Sequence, residues 1–236
     1  MKDFRIRASG ASKICTSKAK PNILPVGAKT YCEQWVKQQI YSRRKEFTSK
    51  YTIKGDMVEE SSLPVIANYL GIEKLSKNDE YFENEFATGT PDALTDYIID
   101  AKNSWDCFSF PLFDDEVPSD DNYWQGQVYM WLTGKQLAKF VYVLSDTPEK
   151  LIQQEAKSYC YKNGYDLSPE IVDEVRERMT YGNIDPKYKI KVFDVVRNDE
   201  DIKLIETRVL LCREYINSLT MPTSRVMSAS KLLENG

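Results

Sequence analysis

The chain has 236 residues, of which 42% are hydrophobic and 29% are charged, a composition typical of a soluble globular protein. It contains no histidine, which excludes Ser-His-Asp and Cys-His catalysis and every metal site built on imidazole. The net charge is −4, and the sequence shows neither a membrane-length apolar run nor a secretory signal, so a cytoplasmic protein is expected.

The first 54 residues form a basic segment ahead of an acidic remainder. They contain 13 Lys and Arg and 3 Asp and Glu, a charge of +10, so the other 182 residues carry −14. Such a segment is typical of a surface that meets a polyanion, although a solvated helix face has a similar composition. Arg5 lies on a predicted strand that runs into a Ser-rich turn, where Ser12 either caps a helix or helps to bind phosphate.

Hydrophobic periodicity predicts helices at 28–47, 56–70, 123–133, 148–162, 168–181 and 199–219, and strands at 81–87, 97–105, 139–144 and 188–196. Lys54-Gly55 is expected to separate the first two helices, and the residues after Pro222 to form a loose tail. Residues 106–122, with three phenylalanines among acids, suit either a loop over a site or packing under a surface loop. No internal repeat or linker is apparent, so a single domain, 1–236, is expected.

The stretch 89–102 carries the chemistry. A Gly-Thr-Pro-Asp turn precedes a run of strict alternation, which places Asp100 and Lys102 on one strand face. Asp92, from the turn, can converge with them. Two nearby carboxylates repel each other unless a cation lies between them, and hard cations such as Mg²⁺ prefer oxygen ligands. Together with a lysine that holds or deprotonates a water molecule, this set predicts metal-assisted phosphodiester hydrolysis.

Pro91-Asp92 followed by Asp100-x-Lys102 is the signature of the PD-(D/E)xK nuclease superfamily, which the chain resembles. Two further motifs flank it in the order that the superfamily requires: Gly55-x-x-x-Glu59 before it and Gln125-x-x-x-Tyr129 after it. Arg5 precedes Ser12 by seven residues, and the run Gln-x-Gln-x-x-Met-Trp-x-Thr occupies 125–133. These features make residues 5–145 similar to the phage lambda exonuclease (YqaJ-type) recombination nucleases.

The resemblance implies an α/β fold with a restriction-endonuclease-like core, that is, a mixed central β-sheet flanked by helices, with a C-terminal extension over 146–236. It assigns metal binding to Asp92, Asp100, the backbone oxygen of Ala101 and Glu59, with Glu60 or Glu85 as alternatives to Glu59. It implies that Lys102 activates the attacking water. It assigns support of the site and the DNA strand to Gln125, Gln127 and Tyr129, and 5′-phosphate binding to Arg5 and Ser12.

The activity implied is Mg²⁺-dependent digestion of one strand of duplex DNA from 5′ to 3′, with Mn²⁺ able to substitute, for phage-type recombination. The resemblance also implies a homotrimer, a single-strand-annealing partner, and a phage-infected or prophage-bearing bacterial host. Two alternatives stay open: another RecB-like nuclease, with endonuclease activity or different polarity, and a catalytically silent DNA-binding protein. The five cysteines are widely spaced, and Cys212 alone lies in 200–236, so no iron–sulfur cluster is expected.

Overall fold

The computed structural model describes residues 3–16, 18, 20–43 and 49–219; the predicted tail after Pro222 and the end of the helix predicted at 28–47 lie outside them. The helices are α1 (Ser12–Cys15), α2 (Val26–Tyr41), α3 (Lys50–Leu70), α4 (Asp120–Thr133), α5 (Glu149–Asn163), α6 (Pro169–Met179) and α7 (Asp199–Ser218), with 3-10 turns at Ala8–Gly10 and Pro186–Tyr188. The strands are β1 (Ile6–Arg7), β2 (Phe82–Glu83), β3 (Ala87–Gly89), β4 (Ala93–Leu94), β5 (Ile98–Asn103), β6 (Leu137–Val143) and β7 (Ile190–Val196).

The strands form two sheets. The larger has the order β4-β5-β6-β7, in which β5 and β6 are parallel and the outer pairs are antiparallel. The smaller has the order β1-β3-β2, with β1 parallel to β3. The strand predicted at 81–87 is in fact two short strands, because the Asn84 side chain accepts hydrogen bonds from the N–H groups of Phe86 and Ala87 and turns the chain there.

Helices cover both faces of the larger sheet. On one face, Ile98 and Phe140 belong to a core shared with α2, α4 and α7. On the other face, Ile99 and Val141 pack with Ile66 of α3. This division follows the period of two along β5, which places neighbouring side chains on opposite faces. Within the described residues, the helices are all too short or too polar to cross a membrane.

Helix α3 begins earlier than predicted and is not broken at Lys54-Gly55. Ser49 forms a capping box with Thr52, which satisfies two backbone N–H groups at the helix start. A glycine inside a helix costs only about 1 kcal/mol relative to alanine, so a good cap and a buried apolar stripe outweigh Gly55. The helix ends at Gly71, whose φ of 68° suits a residue without a side chain.

Lys54 is fully buried, and its ammonium donates to the backbone oxygens of Trp105 and Ser145 at 2.9 and 2.8 Å. Burial lowers the pKa of this lysine from 10.5 to about 8. Between these values the unfolded chain binds more protons than the folded one, so the stability that depends on Lys54 increases as the pH rises. Below about pH 8 the Lys54 ammonium is charged in the folded chain as well, and its burial destabilises the folded state.

We therefore expect the wild type to become more stable relative to Lys54→Met as the pH rises from 8 to 10. Its free energy of unfolding should increase, relative to that of the variant, by about 1.4 kcal/mol per pH unit. Urea denaturation across this range measures it. Lys50→Met, at an exposed position on the same helix, is the control and should show a constant difference. A constant difference for Lys54→Met as well would contradict the depressed pKa.

Candidate active site

Strand β5 and the turn before β4 bring the three motif residues together. The Asp100 side chain is 1% exposed, and Lys102 Nζ lies 2.5 Å from Asp100 Oδ2. Asp92 Oδ2 accepts a 2.8 Å hydrogen bond from the Ala101 N–H, which ties the turn to the strand. All of these residues line one cleft of about 420 Å³. The convergence that the alternating pattern predicted is present.

The charges in this cleft do not balance. Partial burial and then the charge of Asp100 raise the pKa of Asp92 to about 8, against the opposing effect of Lys102. Burial acts to lower the pKa of Lys102, but the two carboxylates outweigh it and the pKa is raised. Lys102 is the one basic residue in the described cleft wall, which also has four acids, Asp56, Glu59, Asp92 and Asp100. A second positive charge would relieve the repulsion between Asp92 and Asp100.

The oxygen atoms in the cleft fit a hard divalent cation. Asp100 Oδ2 is buried beside the Lys102 ammonium and has no further hydrogen-bond partner among the described residues. The N–H and C=O of a strand residue point to the same side, so the Ala101 carbonyl points towards Asp92. In the described part of the chain, no three acidic or cysteine side chains cluster closely enough to hold a metal by themselves. Two carboxylates and a carbonyl suit Mg²⁺, which keeps several of its waters.

Of the three glutamates considered for the third acid, Glu59 is the one that lines the cleft. It projects from α3, and its carboxylate pairs with Lys77 at 2.9 Å. Glu60 is exposed and is not among the described residues of the cleft wall. Glu85 pairs instead with Arg213 of α7 at 3.3 Å. Among these acids, Glu59 is therefore the one that the structure places beside Asp92 and Asp100, and Lys77 is its ion-pair partner.

Helix α4 forms hydrogen bonds with the motif residues. Gln125 Oε1 accepts from Lys102 Nζ at 3.3 Å, and its Nε2 donates to Asp100 Oδ1 at 3.4 Å and to Tyr129 Oη at 2.9 Å. The Tyr129 hydroxyl in turn donates to the Thr90 backbone oxygen at 3.1 Å. A side chain at Gly89 would lie 2.7 Å from the Tyr129 ring, so glycine is needed there. This network holds Lys102 and the turn that carries Asp92 in one arrangement.

Gln127, expected to support the site and the DNA strand with Gln125 and Tyr129, is not among the described residues of the cleft wall. The residue is fully buried, its Nε2 donates to the Val196 oxygen at 2.8 Å, and its Oε1 accepts from the Asn198 N–H at 2.8 Å. Two residues along a helix correspond to a rotation of about 200°, so Gln127 faces away from the side that Gln125 presents to the cleft. Gln127 joins α4 to β7 and to the start of α7.

Arg5 and Ser12, predicted together as a 5′-phosphate pocket, line different cavities. Arg5 pairs with Glu83 at 2.8 Å, and the largely buried Ser12 donates to Asp121. Phosphate binding by this pair remains a prediction.

Sequence reasoning did not identify several polar residues of the cleft wall. Asn103, next to Lys102, accepts from Ser62 Oγ at 2.7 Å and from Ser145 Oγ at 3.0 Å. In the sequence, the position of Asn103 directly after the Asp100-x-Lys102 motif is the one feature that indicates a place in the site. Of the loop predicted at 106–122, Ser109 lines the cleft, whereas Phe110 is buried against Leu144 and Tyr181, so the loop shows features of both expectations.

No protein-family model matches the sequence, and no match was found among curated proteins. Among solved structures, a phage-related exonuclease from Haemophilus somnus 129PT superposes with a TM-score of 0.73 at 28% identity, covering 91% of this chain and 94% of that one. The alkaline exonuclease LHK-Exo from Laribacter hongkongensis superposes with a TM-score of 0.61 at 15% identity, covering 91% and 88%. Its complex with dAMP gives a TM-score of 0.59. The chain thus has the mixed α/β fold of the PD-(D/E)xK nucleases, and its resemblance to the phage-type exonucleases of that superfamily is confirmed.

Proposed function

We propose that the protein is a metal-dependent exodeoxyribonuclease that removes nucleotides from the end of duplex DNA. The observation that carries this proposal is the meeting of Asp92, Asp100 and Lys102 in one cleft. The similarity to a phage-related exonuclease over nine-tenths of both chains supports it. Mg²⁺ is the proposed cation, with Mn²⁺ able to replace it, because the donors are carboxylate and carbonyl oxygens.

Asp92, Asp100 and the Ala101 carbonyl would hold the cation, and Glu59 would hold it directly or through a water molecule. When bound, the cation supplies Lewis-acid polarisation of the phosphate and a water of lowered pKa. Lys102 positions the attacking water and neutralises charge that develops on the phosphate. Gln125 keeps the Lys102 ammonium at the mouth of the cleft, and Tyr129 fixes the turn that carries Asp92.

The finer features rest on resemblance. We propose digestion from 5′ to 3′, with a terminal 5′-phosphate received by Arg5 and Ser12. The same proposal includes a homotrimer, a single-strand-annealing partner and a role in phage-type recombination in a bacterial host. The basic charge of the first 54 residues supports DNA as the substrate.

A linear duplex with a 5′-phosphate on one strand and a 5′-hydroxyl on the other tests the polarity. In Mg²⁺, mononucleotides should come first from the phosphorylated strand. Arg5→Ala should reduce this preference while the rate on the 5′-hydroxyl strand persists, and Arg178→Ala, an exposed arginine on α6, should behave as wild type. Cleavage of closed circles would indicate an endonuclease instead, and equal loss on both strands would remove Arg5 from phosphate binding.

A further inference from the structure

A second cleft, of about 660 Å³, lies between β1 and α2, and it shares no lining residue with the catalytic cleft. We call it the basic groove and define it by Arg5, Arg7, Lys13, Gln34, Gln38 and Arg43. β1 is parallel to β3, with Arg7 opposite Thr88, and β3 leads directly into the turn that carries Asp92. The groove and the catalytic turn are thus joined through one small sheet.

The groove is positively charged and only partly neutralised. Four of its described lining residues are basic and none is acidic. Arg5 pairs with Glu83, and Lys13 lies 3.4 Å from Asp121. Arg7 and Arg43 are exposed and form no ion pair with any described residue. Two full positive charges therefore line this groove without a carboxylate partner in the described part of the chain, an arrangement that attracts a polyanion.

One face of α2 supplies the wall of the groove. Gly27, Thr30, Gln34 and Gln38 recur at helical spacing along it. Neither glutamine is hydrogen-bonded to a described residue, so both amides are available to a ligand. The helix's one acid, Glu33, lies outside the groove wall and is held by the Tyr215 hydroxyl at 2.6 Å. From Gly27 to Tyr41 the helix runs about 21 Å, the length of roughly six nucleotides along one duplex strand.

We propose that the basic groove binds the sugar–phosphate backbone of a DNA strand outside the catalytic cleft, with Arg7 and Arg43 as phosphate ligands and the α2 glutamines as hydrogen-bonding partners. The choice of DNA as the polyanion rests on the proposed function. The length of the groove favours an extended strand over a single phosphate group. Guanidinium groups suit this role because they contact phosphate oxygens in a bidentate manner.

The test is binding of a fluorescein-labelled duplex, followed by anisotropy over a series of salt concentrations without divalent metal, so that no strand is cut. Each phosphate contact contributes about one to the slope of log K against log salt. The double variant Arg7→Ala/Arg43→Ala should therefore lower the slope by about two. The matched control, Lys157→Ala/Lys203→Ala, removes the same charge from exposed positions on α5 and α7 and should keep the wild-type slope.

If the Arg7→Ala/Arg43→Ala variant kept the wild-type slope, the groove would not be a phosphate site. The same conclusion would follow if the slope of the control variant fell by as much as that of the Arg7/Arg43 variant. A second assay separates this result from the proposed function. The p-nitrophenyl ester of thymidine 5′-monophosphate is too short to reach from the cleft into the groove, so both double variants should hydrolyse it at the wild-type rate in Mn²⁺. A slope change in the Arg7/Arg43 variant of a protein that releases no nucleotide from linear duplex DNA in Mg²⁺ or Mn²⁺ would sustain the groove and remove the nuclease.

Discussion

Replacing Lys102 with methionine is expected to lower the rate of nucleotide release from linear duplex DNA by about 10²- to 10³-fold at saturating substrate. Methionine keeps most of the unbranched stem of lysine but removes the ammonium that lies 2.5 Å from Asp100 and 3.3 Å from Gln125. The attacking water then loses its positioning group, and the phosphate loses a positive charge. Initial rates with a radiolabelled duplex in Mg²⁺ measure the effect.

Lys139→Met is the matched control for this variant. Lys139 lies on the neighbouring strand β6 opposite Ile99, and its ammonium pairs with Asp194 at 2.7 Å, away from the cleft. Its replacement should leave the rate within about twofold of the wild type, as expected for a group outside the site. A Lys102→Met protein that folds normally by circular dichroism and cuts as fast as the control would remove Lys102 from the chemistry.

Asp92→Asn is expected to be at least as stable as the wild type without metal and less stable than the wild type with metal. Without metal, the variant should melt no lower than the wild type, because asparagine removes a largely buried carboxylate that Asp100 repels and can still accept from the Ala101 N–H. With metal, the wild type should gain about 2.7 kcal/mol at a concentration 100 times its Kd, whereas the variant should gain little. Thermal melts in EDTA and in a Mn²⁺ series measure both effects.

Asp96→Asn provides the control, since Asp96 is exposed and lies outside the described wall of the cleft. It should respond to Mn²⁺ as the wild type does. If Asp92→Asn retained the full Mn²⁺ stabilisation, the cation would not be bound between Asp92 and Asp100. If it melted well below the wild type in EDTA, Asp92 would be a structural residue whose charge the fold requires.

The local part of the site was predictable because it depends on short periods. The alternation of β5 places Asp100 beside Lys102, and the spacing of four on α4 places Gln125 beside Tyr129. The same helical rule, applied strictly, would have separated Gln127 from this pair. Local sequence patterns therefore predict which side chains share a face of a strand or helix. The function of that face was predicted only from the resemblance to a nuclease family.

The features that the sequence did not predict depend on contacts between residues distant in sequence or on helix capping. Glu85 could not be separated from Glu59 because its partner, Arg213, lies 128 residues away. The start of α3 depends on the capping box at Ser49, which outweighs Gly55. The basic groove needs β1 and α2 side by side, and its charges in the sequence are indistinguishable from those of a solvated helix face.

The most direct test of the nuclease assignment is product analysis after the wild-type protein is incubated with a linear, uniformly labelled duplex in Mg²⁺, in Mn²⁺ and in EDTA. We expect mononucleotides to accumulate in either metal, none in EDTA, and none from Lys102→Met on the same timescale. If the folded wild-type protein released no nucleotide from any linear DNA in either metal, or released it equally in EDTA, the cleft of Asp92, Asp100 and Lys102 would not be a metal-dependent nuclease site.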